Sequence, residues 1–246
     1  MSQNSFSWRD LVNFRSVLGR RSLDLERIDT GDYTPAEYRR FLAEIAFINR
    51  YFGEAQALRR SLFREIENAG LEEFSVLDVG CGSGELLRLI AEFANTSSRK
   101  ARLTGIDINL ISIRETAERD TVGRAILAVR GDALRLPFAN GSFDFAVSSL
   151  FFHHLTDDQA AAAFAEMSRV ARRSIFVIDL HRHAAALALY KVFCTVFRIS
   201  PLVRHDGSLS IKRGFRPAEL LSLAADAGLV DSKIARSFPF RLVLKA

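Results

Sequence analysis

The sequence predicts an α/β fold built around a parallel sheet. From residue 74 onward, short apolar runs bounded by Gly, Asp or Asn alternate with segments of helical periodicity. Strands that alternate with helices in this way form parallel sheets with helices on both faces. The composition agrees with a packed core, because 48% hydrophobic and 26% charged residues are ordinary for a globular protein. The 246 residues suffice for one large domain with additions and are few for two full domains.

The predicted elements follow one another in a regular order. The strands are the apolar runs SVLDVG, LTGIDI, ILAVRGDA, FDFAVSSL and SIFVIDL. Helical periodicity predicts helices over ELLRLIAEFA and over residues 55–68, 111–120, 157–170 and 217–227. Residues 71–180 and 217–246 therefore form the predicted core.

Residues 1–70 and 181–216 lie outside this alternation. In the first segment, Thr34, Pro35 and Glu37 match a capping box with proline at the first helical position. Binding sites in open α/β sheets lie at the carboxyl ends of the strands, where such additions can cover them. We therefore expect a helical N-terminal cap over residues 1–70 and a lid inserted after the fifth strand over residues 181–216.

The lid carries apolar side chains on more than one helical face, which is more than packing on the core requires. We expect the free face to contact an apolar substrate, with a membrane surface or a second subunit as alternatives. Lys191 and Arg198 interrupt the apolar stretch 184–203, so a transmembrane helix is not expected. Basic residues also outnumber the single acid Asp206 in the second half of the lid, which leaves an anionic substrate group open.

The charge balance, the cysteines and the first residues indicate which partners and which cellular compartment to expect. A net charge of +5, from 34 Lys and Arg against 29 Asp and Glu, is too small to indicate a nucleic-acid partner. Cys81 and Cys194 are far apart and have no disulfide or metal-binding spacing, which favours a reducing cytoplasm. The first residues, MSQNSFSWRDLVNF, lack the continuous apolar region of a signal peptide.

The strongest local motif is VLDVGCGSG, an apolar strand that runs into a glycine loop and then into a helix. Glycines let a ligand approach the backbone, and the following helix N-terminus favours a negatively charged group. Asp78 either holds the loop or meets a ligand ammonium. A dinucleotide fingerprint would need glycine where Glu85 stands, and a tight turn without a ligand is the other alternative.

Acidic residues follow the next two predicted strands. Asp107 ends the second strand, where a carboxylate can accept hydrogen bonds from both hydroxyls of a ribose. Asp132 follows the third strand and can accept from an adenine amino group. Either residue taken alone is more often a loop or capping residue. Together with the glycine loop, in this order along the chain, they indicate a nucleoside-binding site.

The stretch that runs from LDVGCGSG through GIDI, GDALRLPFANGSFDFAVSS and FFHHL to SIFVIDL resembles the class I S-adenosylmethionine-dependent methyltransferases. It looks closest to the small-molecule branch that includes the ubiquinone and menaquinone C-methyltransferases. The resemblance covers about residues 74–180. It implies a Rossmann-like, doubly wound seven-stranded sheet whose last strand is antiparallel, with residues 231–245 as the closing hairpin and Pro239 in its turn.

The resemblance also implies a set of residues that bind S-adenosylmethionine. The glycines face the methionine part, Asp107 binds the ribose, Ile108 lies against the adenine, and Asp132 with Ala133 lies at the adenine edge. The full expected set is Asp78, Gly80, Cys81, Gly82, Gly84, Asp107, Ile108, Asp132, Ala133 and Ser148.

A phenol or enol acceptor gains from a nearby base, and histidine has a suitable pKa. His153 and His154 follow the fourth strand and His181 follows the fifth, so these three are the candidate catalytic residues. The alternative for the pair is a structural role that ties the loop to the core. His205–Asp206 and Arg213 either close over the substrate or are solvated lid charges.

These features predict an S-adenosylmethionine-dependent methyltransferase that acts on a small lipophilic or aromatic acceptor. O-methylation is favoured and C-methylation is the second choice. Ser148–Ser149–Leu150–Phe151 stands where enzymes that methylate nucleic-acid bases or glutamine carry an Asn/Asp-Pro-Pro-Tyr/Phe run, so those substrates are not expected. No metal site is assigned from the sequence. A catalytically silent module that binds S-adenosylmethionine and acts through protein partners is the alternative, and an NAD-dependent oxidoreductase is opposed by Glu85 and the closing hairpin.

Overall fold

The computed structural model describes residues 18–118 and 126–246, and within them seven strands form one sheet. The strands are β1 Glu73–Val79, β2 Lys100–Asp107, β3 Leu127–Arg130, β4 Phe143–Ser149, β5 Ala171–Leu180, β6 Lys233–Ser237 and β7 Arg241–Lys245. Their order is β3-β2-β1-β4-β5-β7-β6. Strands β1 to β5 pair in parallel, whereas β7 runs antiparallel to β5 and β6. The predicted seven-stranded sheet with its closing hairpin is confirmed, and Pro239 lies in the turn of that hairpin.

The helices agree with the predicted alternation. They are α1 Arg27–Thr30, α2 Pro35–Tyr51, α3 Glu54–Leu58, α4 Arg64–Asn68, α5 Glu85–Thr96, α6 Leu110–Glu118, α7 Asp157–Val170, α8 Ala184–Val196, α9 Pro201–Arg213 and α10 Pro217–Asp226. A π-helical turn, Arg59–Phe63, joins α3 to α4, and a 3₁₀ turn, Phe152–His154, precedes α7. The predicted helix over residues 111–120 is present up to residue 118, and its last two positions lie outside the described residues.

The start of α2 shows why these residues form a helix. The Glu37 N–H donates to the Thr34 hydroxyl oxygen at 3.2 Å, and the Thr34 N–H donates to Glu37 Oε2 at 2.8 Å. Pro35 occupies the first helical position, where its missing N–H costs nothing. The predicted capping box is therefore present, and such a cap contributes about 1 kcal/mol.

Two apolar layers cover the two faces of the sheet, which explains why β1 is buried from Phe74 to Val79. One layer packs α3, α4 and α5 against the sheet, and the other packs α7 and α10 against it. No helix in the described parts of the chain has both the length and the apolar character needed to cross a membrane.

A third apolar cluster, the cap–lid cluster, joins the first segment to the insertion after β5. Its buried members from α2 and the residue that follows it are Tyr38, Phe41, Leu42, Ile48 and Phe52, and those from residues 186–211 are Ala186, Leu187, Tyr190, Cys194, Ile199, Leu202, Val203 and Ile211. The two segments outside the alternation therefore pack on each other. The boundaries at residues 70, 180 and 216 stay predictions.

Candidate active site

One large cavity lies between the cap–lid cluster and the carboxyl ends of the parallel strands. Its volume is about 570 Å³. The glycine loop after β1, the residues that follow β2 and β4, and the inner face of α2 all contribute to its wall. Of the predicted cofactor residues, the wall contains Asp78, Gly80, Cys81, Gly82, Asp107 and Ile108. Of the predicted catalytic residues, it contains His153 and His154.

The glycine loop adopts backbone conformations that favour glycine, with φ of 75°, 52° and 76° at Gly80, Gly82 and Gly84. A Cβ atom at Gly82 would have Leu42 Cδ2, at 3.9 Å, as its one neighbour within 4 Å among the described residues. Gly82 therefore leaves room in the cavity wall. A Cβ atom at Gly84 would lie 2.8 Å from Thr116 Cγ2, so this glycine is needed for packing and lies outside the wall.

Asp107 at the end of β2 is tied to this loop. Its Oδ2 accepts from the Gly82 N–H at 3.0 Å, and its Oδ1 accepts from the Asn109 N–H at 2.8 Å. Burial raises the pKa of Asp107, although the two N–H donors act in the opposite direction. Each oxygen keeps a second lone pair for a ligand. Ile108 is 67% exposed and stands beside it in the cavity wall.

Three other predicted cofactor residues have structural partners and lie outside the cavity wall. Asp132 Oδ1 accepts from the Leu134 N–H at 2.9 Å and so closes a turn after β3. Ala133 packs against the apolar layer that contains α7. The buried Ser148 hydroxyl donates to the Val79 carbonyl at 2.7 Å and joins β4 to β1. Contact of these residues with a nucleoside stays a prediction.

Charged groups of both signs meet where β1, β4 and β7 border the cavity. Asp78 is 1% exposed, and its Oδ2 has no hydrogen-bond partner. Burial raises the pKa of Asp78 well above its usual range, and the nearby carboxylates of Glu54 and Asp107 act in the same direction. The Ser149 hydroxyl donates to Glu54 Oε1 at 2.6 Å. Arg241 is 3% exposed and donates from Nη2 to Asn49 Oδ1 at 3.2 Å, while its Nε has no partner. Asp78 Oδ2 and Arg241 Nε, in two residues that line this part of the cavity, are therefore buried polar atoms without a partner among the described residues.

His153 lies in the 3₁₀ turn after β4, opposite Asp179 on β5. Its Nδ1 is 2.8 Å from Asp179 Oδ1, and its backbone N–H donates to Asp179 Oδ2 at 3.1 Å. Burial acts to raise the pKa of Asp179, but His153 and the backbone donors lower it below its ordinary value. An ionised Asp179 holds the proton of His153 on Nδ1, which leaves the Nε2 lone pair free.

Glu26 approaches the two histidines from the segment before α1. It is 1% exposed, and its Oε2 accepts from the Ser210 hydroxyl at 3.0 Å. Its Oε1 has no hydrogen-bond partner and lies 3.9 Å from His153 Nε2 and 3.9 Å from His154 Nδ1. Burial raises the pKa of Glu26 to about 7. Glu26 is therefore a carboxyl group of the cavity wall that can hold a proton near neutral pH.

His154 belongs to an ion-pair network that ties the cap to the lid. Its Nδ1 is 2.8 Å from Asp29 Oδ1, and Asp29 Oδ2 accepts from Arg213 Nη1 at 2.5 Å. Arg213 also donates to the carbonyls of His153 at 2.9 Å and His154 at 2.8 Å. Burial opposes ionisation of Asp29, but His154 and Arg213 lower its pKa to about 2.

The interpretation of Asp206 and Arg213 as solvated lid charges is wrong. Asp206 is 0% exposed and accepts from the Ile28 N–H at 3.2 Å and from His205 Nδ1 at 2.8 Å. Arg213 is 4% exposed, and its donors are taken by Asp29 and backbone carbonyls. Both residues hold the lid against the segment around α1, and four of the five N–H groups of Arg213 are engaged in doing so.

The structure does not bring His181 into the cavity wall. It pairs with Phe215 in an isolated bridge at the end of β5, and its ring lies 5.7 Å from that of His183. Burial lowers its pKa, and neighbouring cations act in the same direction. A catalytic role for His181 therefore has no geometric support in the described cavity.

Sequence reasoning missed four charged residues of the site, namely Glu26, Glu54, Asp179 and Arg241. Asp179 alone had a local signal, because an acid inside the buried strand SIFVIDL needs a partner. The other three come from the cap and from the closing hairpin, where nothing in the neighbouring sequence indicates that they are buried together.

Part of the chain is similar in sequence to known methyltransferases. Residues 76–174 match the family described as "methyltransferase domain". The demethylmenaquinone methyltransferase of Roseiflexus castenholzii is 33% identical over 129 residues, which is 52% of this chain and 51% of the relative. The chain thus spans about half the length of the curated relatives it matches.

Solved structures with low sequence identity share the fold. A SAM-dependent methyltransferase from Aquifex aeolicus superposes with a TM-score of 0.57 at 17% identity, covering 87% of this chain and 98% of that one. Human N-acetylserotonin methyltransferase, solved in complex with SAM, gives a TM-score of 0.60 at 16% identity, covering 97% of this chain and 64% of that one.

Proposed function

Because residues 76–174 form a class I S-adenosylmethionine-dependent methyltransferase domain, we propose that the protein methylates a small, apolar, hydroxyl-bearing acceptor. O-methylation is favoured, and C-methylation is the second choice. The observation that carries the proposal is the composition of one cavity wall. The wall holds the glycine loop and Asp107 together with His153, whose Nδ1 contacts Asp179.

The residues present fit the cofactor. Gly82 leaves space for a ligand, and Asp107 offers lone pairs to ribose hydroxyls. The unpaired Asp78 Oδ2 suits an ammonium group, and the unpaired Arg241 Nε suits a carboxylate. S-adenosylmethionine supplies an electrophilic methyl group on a positively charged sulfur, and its amino-acid end carries both of those charged groups. The other proposed contacts, by Asp132, Ala133, Gly84 and Ser148, have less support because these residues lie outside the wall.

The remainder of the wall supports an apolar acceptor. The cap–lid cluster supplies Phe41, Ile45, Phe52, Ala186, Tyr190 and Ile211 to the cavity. A small number of polar groups within such a lining fixes the orientation of a ligand. Arg21 and Arg213 both reach the backbone of the histidine pair, and most of their N–H groups already donate to carbonyl or carboxylate oxygens, which favours an uncharged acceptor.

His153 is the proposed base. Its Nε2 takes the proton of the acceptor hydroxyl, and Asp179 stabilises the imidazolium that results. The acceptor oxygen keeps the electron pair and the negative charge that it needs to accept a methyl group. His154 is the second candidate, and its Nδ1 is already bonded to Asp29. We place the reaction in the cytoplasm, because Cys81 and Cys194 are both buried and free.

Calorimetric titration and a turnover assay test this proposal. The protein should bind S-adenosylmethionine and S-adenosylhomocysteine but not NAD, and it should methylate members of a panel of phenols and quinols. Binding without turnover on the whole panel would favour the catalytically silent module that acts through protein partners. Binding of NAD alone would overturn the assignment.

A further inference from the structure

A compact group of metal-ligating side chains lies at the lid end of the cavity. Glu26, His153 and His154 each offer one ligand atom, and these atoms all lie within 4.8 Å of one another. All three residues belong to the cavity wall. Glu26 comes from the cap and the histidines from the core, so only the folded chain assembles this group.

The unpaired oxygen of Glu26 points to a missing ligand. Ser210 holds Oε2, whereas Oε1 is buried without a partner between the two imidazoles. A buried carboxylate oxygen without a partner is costly. An atom placed between Oε1 and the two rings would supply that partner.

The imidazole of His153 carries a carboxylate on Nδ1, where it contacts Asp179, and faces Glu26 with its other nitrogen, Nε2. Histidines that bind metals commonly have such a carboxylate on the other ring nitrogen, which fixes the ring and raises the basicity of the ligating nitrogen. His153 therefore keeps Nε2 available. The His154 nitrogen that lies 3.9 Å from Glu26 Oε1 is Nδ1, so His154 binds the ion once Asp29 releases this nitrogen and keeps its ion pair with Arg213. The carboxylates of Glu26, Asp29 and Asp179 surround the pair, and Arg213 contacts only Asp29 among them.

We propose that Glu26, His153 and His154 bind one divalent transition-metal ion of the zinc class. Two imidazoles and one carboxylate favour such an ion over Mg²⁺ or Ca²⁺. Zinc bonds of about 2.0–2.2 Å put ligand atoms on a tetrahedral ion roughly 3.4 Å apart. The observed 3.9 Å spacings therefore close by about half an ångström when the ion binds.

Three protein ligands leave coordination positions open towards the cavity, as in catalytic rather than structural zinc sites. An acceptor oxygen bound there would lose its proton more readily, and the ion would take over the task that His153 performs in the metal-free protein. This role rests on the proposed methyl transfer. The binding of the ion does not.

The test begins with the full chain freed of metal by a chelator. Co²⁺ is titrated while its visible absorption is recorded, and Zn²⁺ is then added in competition. We expect one Co²⁺ ion to bind per chain, with the visible absorption that is typical of Co²⁺ with four or five ligands. Glu26→Gln and His154→Gln should each weaken Co²⁺ binding ~100-fold or more, and Asp179→Asn by about 10- to 100-fold. The control His205→Gln, at an exposed histidine of the lid, should leave the titration unchanged.

Binding of S-adenosylhomocysteine reports on the fold of each variant and on the proposed function separately. Absence of a one-to-one Co²⁺ site, or equal loss of binding in the His205 control, would overturn the metal site. Methyl transfer at an unchanged rate in excess chelator would remove the catalytic role of the ion while leaving the proposed function intact. If S-adenosylhomocysteine does not bind, the proposed function fails and the Co²⁺ titration still decides the metal site.

Discussion

The backbone N–H of Gly82 donates a 3.0 Å hydrogen bond to the Oδ2 atom of Asp107, so the glycine loop after β1 is held by the acid that ends β2. Gly82 follows β1 and Asp107 ends the neighbouring parallel strand β2, and both border the cavity. One carboxylate therefore shapes the loop and, in the proposed cofactor site, would also accept from the ribose hydroxyls. This double role makes Asp107 the most sensitive position in the proposed cofactor site.

We expect Asp107→Ala to weaken S-adenosylhomocysteine binding by about 30- to 1,000-fold, which corresponds to roughly 2–4 kcal/mol. The variant loses the hydrogen bonds to two ribose hydroxyls and also the bond to the Gly82 N–H, and both losses weaken binding. Asp132→Ala is the matched control, because Asp132 lies outside the cavity wall and should change affinity only a few-fold. An unchanged dissociation constant for Asp107→Ala would refute the ribose assignment, and a large loss at Asp132 would restore its predicted contact with adenine.

Arg241→Gln should separate the two ends of the cofactor. The variant should lose about 10- to 100-fold in affinity for S-adenosylhomocysteine, since a charge-assisted hydrogen bond contributes roughly 1.5–3 kcal/mol. Its affinity for 5′-methylthioadenosine, which lacks the amino-acid group, should stay the same. Arg236→Gln on the exposed side of the same hairpin is the control. Equal losses for both ligands would show that Arg241 supports the fold rather than a carboxylate.

The predicted cofactor residues that line the cavity all come from two short sequence motifs, VLDVGCGSG and GIDI. Asp78 and Asp107 stand at the ends of β1 and β2, and Gly82 lies in the loop that follows β1, so parallel topology alone places them at one edge of the sheet. The sequence therefore predicted the seven-stranded fold and the common location of these three residues in one cavity wall, while their contact with a cofactor stays a prediction.

The rest of the site depends on packing between distant segments. Glu26 bonds to Ser210 across 184 positions, and Arg241 bonds to Asn49 across 192. Arg213 looks like a solvated lid charge in sequence because its partners, such as Asp29, are equally distant. Burial of a charge is decided by tertiary contacts, and no local pattern reports them.

His153→Gln should lower kcat by about 10²–10⁴ and leave the affinity for S-adenosylhomocysteine nearly unchanged. The physical reason is the loss of the Nε2 lone pair, which the side chain of Asp179 orients. His181→Gln is the control, because His181 lies outside the cavity wall. If His153→Gln instead loses stability and cofactor binding together, the residue is structural.

Glu26→Gln should stabilise the metal-free protein at pH 8 but not at pH 5. Burial raises the pKa of Glu26 from 4.5 to about 7, so the fold favours its protonated form. The stability gained from this group is fully present below pH 4.5 and is lost as pH rises through 7, by at most ~3 kcal/mol. Urea unfolding at both pH values measures the effect, with the exposed Glu72→Gln as control. A variant that is destabilised equally at both pH values would contradict the assigned shift.

The expected contact between the lid and an apolar acceptor can be tested at Ala186, on α8. Phe193 and Phe197 pack with Tyr51 in an aromatic group outside the cavity wall, whereas Ala186 lines the cavity. Ala186→Phe should therefore narrow the acceptor region and raise the KM for bulky apolar acceptors about 5- to 150-fold, as expected for overpacking of 1–3 kcal/mol. The affinity for S-adenosylhomocysteine should not change.

Ala188→Phe adds the same side chain to the exposed face of α8 and controls for effects on the helix itself. Thermal unfolding of both variants shows whether the new ring enters the cavity or distorts the cap–lid cluster. If Ala186→Phe leaves acceptor kinetics unchanged while remaining folded, the acceptor does not reach α8. The apolar part of the cavity would then serve only to join the cap to the lid, and the acceptor would have to bind closer to the glycine loop.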